Sequence, residues 1–145
     1  MDFLSKHEAF EIVLRDKIWY IFYDTLGRRN IRISYKENIK LANINVLGAT
    51  NDFTVGVFKV DEKKYYSNEF KGNFEIVSLT GTINTMNNDF YTHIHMSAGN
   101  DKGEVFGGHL NRAKVSATCE MIINIIDGKV DRYFDEEIGL NIFKF

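Results

Sequence analysis

The 145-residue chain contains no proline and a single cysteine, Cys119. One cysteine excludes an internal disulfide, and no proline-rich or low-complexity stretch indicates a linker between two domains. No apolar stretch approaches the roughly 20 residues that a membrane-spanning helix requires. The first residues also lack the basic-then-apolar order of a signal peptide. We therefore expect one domain over residues 1–145 that is cytoplasmic and makes no membrane contact.

A large excess of charge of either sign is also missing. Eighteen Lys and Arg residues against twenty Asp and Glu residues give a formal net charge of -2. The one evident basic cluster, Arg28, Arg29 and Arg32, is interpreted as a solvated loop or helix face. Because phosphate backbones are held mainly by Lys and Arg, this balance does not favour strong nucleic-acid binding. The 44% hydrophobic and 14% aromatic content argues against a disordered chain and allows a substantial core.

The alternation of apolar runs and polar turns predicts a mainly antiparallel β-sheet. We expect strands at Leu41–Ala49, Phe53–Val60, Tyr65–Phe70, Phe74–Asn84 and Lys114–Ile126, separated by turns that include Thr50-Asn-Asp, Asp61-Glu-Lys-Lys and Lys71-Gly-Asn. Near the N-terminus, Phe10–Leu14 and Ile18–Tyr23 have strand composition, and a helix is expected within Asp24–Asn38. The predicted fold class is α+β, with one principal helix.

Three of the four histidines lie in one predicted hairpin that turns about Asn100–Gly103. Side chains alternate between the two faces of a strand, so His93 and His95 point to the same side. If the hairpin is regular, His95 lies roughly opposite His109, and directly opposed Cβ atoms are about 5 Å apart. Three imidazoles on one surface suit a metal site with an open position for water or substrate. The alternative is three polar side chains on a half-solvated strand.

Other residues near this hairpin have weaker functional interpretations. Glu75 and Glu120 are candidate acids or bases beside a metal, although strand glutamates are more often exposed or ion-paired. Cys119 is expected to be a buried, inert thiol rather than a fourth ligand. Gly107 and Gly108 favour a β-bulge, and they are also compatible with the close approach of another backbone or a ligand to His109.

Several motifs follow one another along the chain in a specific order. Leu47-Gly-Ala is followed by Gly72-Asn-Phe-Glu-Ile-Val-Ser-Leu-Thr-Gly81, His93-Ile-His95, Gly107-Gly-His-Leu110 and Val115-Ser-Ala-Thr-Cys-Glu120. Together they resemble the PPC (plants and prokaryotes conserved) domain, most clearly over residues 40–145. The resemblance implies a PPC-like α+β fold with one principal helix, assembled as a homotrimer. It also assigns the role of metal ligand to His93, His95 and His109, with zinc or another divalent transition metal as the ion.

The resemblance carries a second implication, because free-standing bacterial members of this family are often labelled DNA-binding. In the plant proteins the domain is joined to an Arg-Gly-Arg-Pro-type segment that enters the DNA minor groove. A chain without proline contains no such segment in that form. The fold is also similar to that of acetolactate decarboxylase, a zinc enzyme with a His-rich site, but a shared fold does not establish an activity.

Three functions therefore remain open from the sequence. The first is a metal-binding homotrimer that binds or processes a small molecule, with its reaction unassigned. The second is a DNA-associated regulatory protein, and the third is a trimeric assembly module for another protein.

Overall fold

A computed structural model describes residues 39–145, together with the backbone of two short segments nearer the N-terminus. The strands are β1 (Val13–Arg15), β2 (Ile18–Tyr20), β3 (Ala42–Lys59), β4 (Lys64–Met86), β5 (Asp89–Gly99), β6 (Val105–Ile125), β7 (Asp131–Asp135) and β8 (Leu140–Lys144). The described residues contain no helix, and therefore no helix that is long and apolar enough to cross a membrane. The helix expected within Asp24–Asn38 lies outside the described residues.

The predicted antiparallel sheet is confirmed, but its strands are longer and fewer than the turn residues indicated. Thr50-Asn-Asp does not form a turn, because β3 runs through it with a register shift against both neighbouring strands. The buried Thr50 hydroxyl donates to the carbonyl oxygen of Lys114 at 2.9 Å, which satisfies a backbone group at this irregularity. Lys71-Gly-Asn likewise lies inside β4. Polar residues mark a bulge here rather than the end of a strand.

The four long strands pair in a closed circuit. β3 pairs with β4 and β6, and β5 pairs with both β4 and β6, every pair being antiparallel. The short β2 adds to β6, and β1 adds to β2. At the opposite side β7 pairs in parallel with the end of β4, and β8 pairs with β7. This arrangement leaves few unpaired strand edges, and it places β5 of the His-containing hairpin against β4 and β6 against β3.

The core lies inside this circuit and is made mainly by apolar side chains of the four long strands. Its fully buried large side chains include Ile44, Phe53, Leu79, Ile83, Met121 and Ile123. Phe53 stacks on Phe70 with ring centroids 5.0 Å apart and meets the edge of Phe74 at 5.1 Å. Phe106 continues the aromatic cluster by stacking on Phe70 at 4.6 Å. These contacts anchor the start of β6 and therefore help to set the position of His109.

Candidate metal centre

Two strands bring the three histidines together. His93 and His95 lie on β5, opposite Thr82 and Thr80 of β4, and alternation places both imidazoles on one face. The turn at Asn100–Gly103 closes with a hydrogen bond from the Gly103 N–H to the Asn100 carbonyl oxygen. β6 then returns with His109 directly opposite His95. The predicted register of this hairpin is confirmed.

The imidazoles form a compact triangle. Their ring centroids are 5.0 Å apart for His93 and His95, 5.1 Å for His93 and His109, and 5.5 Å for His95 and His109. One possible ligand nitrogen from each ring lies within 4.8 Å of the others. The Nε2 atoms of His93 and His95 are 3.2 Å apart. Two nitrogens bound to a tetrahedral zinc at 2.0–2.1 Å are about 3.3 Å apart, so this pair already matches one edge of such a site.

The protonation of the cluster also suits metal binding. The pKa of His93 is lowered to about 4, chiefly by burial and then by the nearby charges of His109, Arg132 and His95. Burial and the charge of His95 similarly lower the pKa of His109. An imidazole must be neutral to donate its lone pair to a metal. His93 is therefore in its ligand form at neutral pH, and the exposed His95 leaves the outer side of the triangle open.

Glycines on neighbouring strands allow the backbones around His109 to approach closely. A Cβ atom on Gly107 would lie 2.7 Å from the Met96 carbonyl oxygen, and one on Gly108 would lie 2.6 Å from the Gly56 carbonyl oxygen. The prediction of a β-bulge at these positions is wrong, since both glycines pair with β5 in regular register. The register shift of β6 against β3 falls later, between Leu110 and Arg112. Instead, the two glycines allow the backbone of β6 to pack closely against those of β5 and β3.

Tyr65 is a residue of this site that sequence reasoning missed. Its ring occupies the space that a side chain on Gly56 would need, and it meets the His109 ring edge-on with centroids 6.1 Å apart. Its hydroxyl donates to Asn111 Oδ1 at 2.9 Å. Nothing in the sequence links Tyr65 to the histidines, because the contact depends on β3 lying between β4 and β6.

The other residues considered from the sequence lie outside the cluster. Glu75 and Glu120 are both exposed, and the three histidines alone form the group of possible metal ligands found in residues 39–145. Cys119 is buried, as expected, and burial followed by the charge of Glu120 raises the pKa of its thiol to about 11. A neutral buried thiol is a poor metal ligand, because the thiolate is the form that binds.

A pocket opens beside His109 where two strands separate. β5 pairs with β6 only as far as His95 and His109, and beyond this point β6 pairs with β3 instead. The fork between them holds a cavity of about 180 Å³ lined by Phe90, Thr92, Ile94, His109 and residues 110–113. A small molecule bound there would lie next to one vertex of the His triangle.

Comparison with known proteins identifies related sequences and folds. Residues 31–127 match the Plants and Prokaryotes Conserved domain, abbreviated PCC or PPC. A metal-containing protein from Archaeoglobus fulgidus is 33% identical, with a TM-score of 0.71 over 76% of this chain and 78% of that one. A plant- and prokaryote-conserved protein from Pyrococcus horikoshii is 32% identical, with a TM-score of 0.69 over 76% of each chain.

A further structure shares the fold over nearly the whole chain. It is a candidate DNA-binding protein from Bacteroides thetaiotaomicron, 23% identical, with a TM-score of 0.80 over 95% of this chain and 99% of that one. At this identity the likeness concerns the fold. A search of curated protein sequences finds no match.

Proposed function

Because the chain belongs to the Plants and Prokaryotes Conserved domain family, we propose that it is a metal-binding member whose protein ligands are His93, His95 and His109. The observation that carries this proposal is the convergence of three imidazole nitrogens within 4.8 Å from two paired strands. Zinc is the ion we expect, since imidazole ligands and four-coordinate geometry suit it. The relative from Archaeoglobus fulgidus, which is 33% identical and is described as metal-containing, supports the binding of a metal.

The proposed centre has three protein ligands and one open position. Structural zinc sites are usually closed by four protein ligands, whereas sites that bind water or a substrate keep one position free. Within the described residues no cysteine or carboxylate joins the three histidines. We therefore propose that the metal binds a small molecule at the exposed side of the triangle. A bound metal would polarise a coordinated oxygen or lower the pKa of a bound water; we assign no reaction.

Elemental analysis of untagged protein tests the metal centre. The wild-type chain is expected to hold about one zinc ion, and His93→Ala, His95→Ala and His109→Ala are each expected to lose it while keeping their far-ultraviolet circular dichroism. His7→Ala is the matched control, because it removes the one histidine outside the cluster, and it should retain the metal. Full metal content in a variant that combines all three substitutions, or none in the wild type after incubation with zinc, would refute the proposal.

We also propose that the protein assembles as a homotrimer, as the family resemblance implies. The sheet surface offers apolar side chains that a monomer leaves in water, including Leu47 at 59% and Ile122 at 48% exposure. Sedimentation equilibrium should give three times the 16.8 kDa mass of one chain. A trimer that holds no metal would favour the assembly-module interpretation, and a monomer at all concentrations would refute the trimer.

A DNA-associated role has less support. The net charge of -2 gives no reason to expect the phosphate contacts on which such binding depends. If duplex DNA retains the protein at low salt and this retention falls steeply as salt is added, the result would support a DNA-associated function.

A further inference from the structure

Arg132 is a nearly buried cation, with only 7% of its surface exposed, and it lies over the ring of Tyr91, two residues before His93. Its Nε donates to Asn84 Oδ1 at 3.2 Å, and its Nη1 donates to the Asn141 carbonyl oxygen at 2.7 Å. The guanidinium carbon lies 4.2 Å from the centre of the Phe143 ring and 5.0 Å from that of Tyr91. This environment holds the guanidinium group in one orientation.

No carboxylate compensates this charge within the described residues. The ion pairs found there involve Lys59, Arg112 and Lys129, and both hydrogen-bond acceptors of Arg132 are neutral amide oxygens. Buried charges in proteins are normally paired, because removing an ion from water is costly. Neutral oxygens and aromatic faces offset part of that cost, and an anion at Nη2 would offset more.

The position of Arg132 relates it to the metal ligands. Tyr91, His93 and His95 are alternate residues of β5 and share one face. Residues two apart in a strand are separated by about 7 Å along the strand. The guanidinium over the Tyr91 ring is therefore displaced along β5 from His93 by about this distance.

We propose that Arg132 is an anion subsite that receives a carboxylate of the small molecule bound at the metal. This inference rests on the metal centre proposed above and names the class of ligand it takes. One oxygen-bearing group of the ligand occupies the open metal position, and a carboxylate accepts a hydrogen bond from Arg132 Nη2. A planar carboxylate matches the flat guanidinium edge between two aromatic rings. The substrate class is therefore short carboxylic acids with a second oxygen ligand, such as dicarboxylates.

Cobalt-substituted protein provides a test, because a four-coordinate Co²⁺ centre has a visible spectrum that changes when an anion binds the metal. Wild-type protein is titrated with acetate, oxalate, malonate, succinate and inorganic phosphate. At least one dicarboxylate should bind about 10–100-fold more tightly than acetate, which has no second group for Arg132. Equal affinities for acetate and every dicarboxylate, or tightest binding of phosphate, would overturn the proposal without any variant having to fold.

Two variants distinguish a specific role of Arg132 in ligand binding from a general effect on the structure. Arg132→Lys keeps the charge but not the planar group, and it should lose most of the preference for the dicarboxylate while keeping its affinity for acetate. Lys59→Arg is the control, since it makes the reverse exchange in an exposed ion pair with Glu62, and it should retain the wild-type preference. An unchanged preference in Arg132→Lys would overturn the subsite.

The same experiment distinguishes the subsite from the metal centre. Failure of wild-type protein to give a four-coordinate cobalt spectrum, or the same spectrum from His93→Ala, would refute the metal centre and the subsite together. A normal cobalt spectrum with no selectivity among the anions would leave the metal centre intact and refute the subsite alone.

Discussion

Gly108 and Gly56 face each other so closely that a Cβ atom on Gly108 would lie 2.6 Å from the Gly56 carbonyl oxygen. Gly56 is itself the β3 partner of His109. The absence of side chains at these two positions therefore sets the distance between β3 and β6 at the residue that would bind the metal. A backbone oxygen has no rotamer through which to move away, so any added atom must displace a strand.

Gly108→Ala tests this close packing. We expect the variant to lower the free energy of unfolding of the metal-free protein by about 1–3 kcal/mol, as overpacked sites do, and to weaken zinc binding because His109 moves with β6. Urea denaturation and competition with a chromophoric zinc chelator measure the two effects. Gly99→Ala is the control, since its added Cβ would meet nothing closer than 3.5 Å. Equal stability and zinc affinity in the two variants would contradict the argument.

The aromatic cluster around Phe53 should dominate the stability of the sheet. Phe53 is fully buried, so Phe53→Ala removes its contacts with Phe70 and Phe74 and leaves a cavity. We expect the free energy of unfolding to fall by about 3–5 kcal/mol. Val57→Ala on the same strand, where the side chain is 57% exposed, should change it by less than about 0.5 kcal/mol. Similar losses in both variants would show that Phe53 is not part of a packed core.

Cys119 should resist thiol reagents in the folded protein. Its pKa is raised to about 11 by burial and by Glu120, and both the low thiolate fraction and the lack of access slow its reaction. A colorimetric disulfide reagent at mildly alkaline pH is expected to modify the chain only after urea is added. Rapid modification under native conditions would show that Cys119 is exposed.

The low pKa of His93 predicts how the metal-free protein responds to acid. Its pKa is about 4 in the folded chain against 6.5 for an ordinary histidine, so the unfolded chain takes up the proton first as the pH falls. The contribution of His93 to stability is fully present above pH 6.5 and is lost progressively down to about pH 4. Metal-free His93→Gln should show a shallower decline of stability over this window.

Nuclear magnetic resonance checks the same value directly. The imidazole nitrogen shifts of His93 in metal-free protein should change with a midpoint near pH 4, whereas the unfolded chain in urea should titrate near 6.5. A midpoint near 6.5 in the folded chain would mean that His93 is not shielded from water and that the charges of Arg132 and His109 have little effect on its pKa.

The histidine site could be predicted because its geometry is mostly local. Two residues in one strand share a face whatever the rest of the fold does, and a tight turn sets the register that carries His109 back to His95. The sequence was less informative about strand ends. Thr50-Asn-Asp and Lys71-Gly-Asn have the composition of turns, yet pairing on both sides of β3 and along β4 keeps the chain extended through them.

The remaining features depend on strands that are distant in sequence. The glycine contact between Gly56 and Gly108, the ring of Tyr65 over Gly56, and the position of Arg132 beside Tyr91 all follow from which strands become neighbours. Short-range patterns in the chain determined the β class, the His hairpin and the candidate ligands, because alternation and turn chemistry act between near neighbours. Only the tertiary structure decided the surroundings of that site, since closing the sheet into a circuit pairs strands through hydrogen bonds that no local pattern encodes.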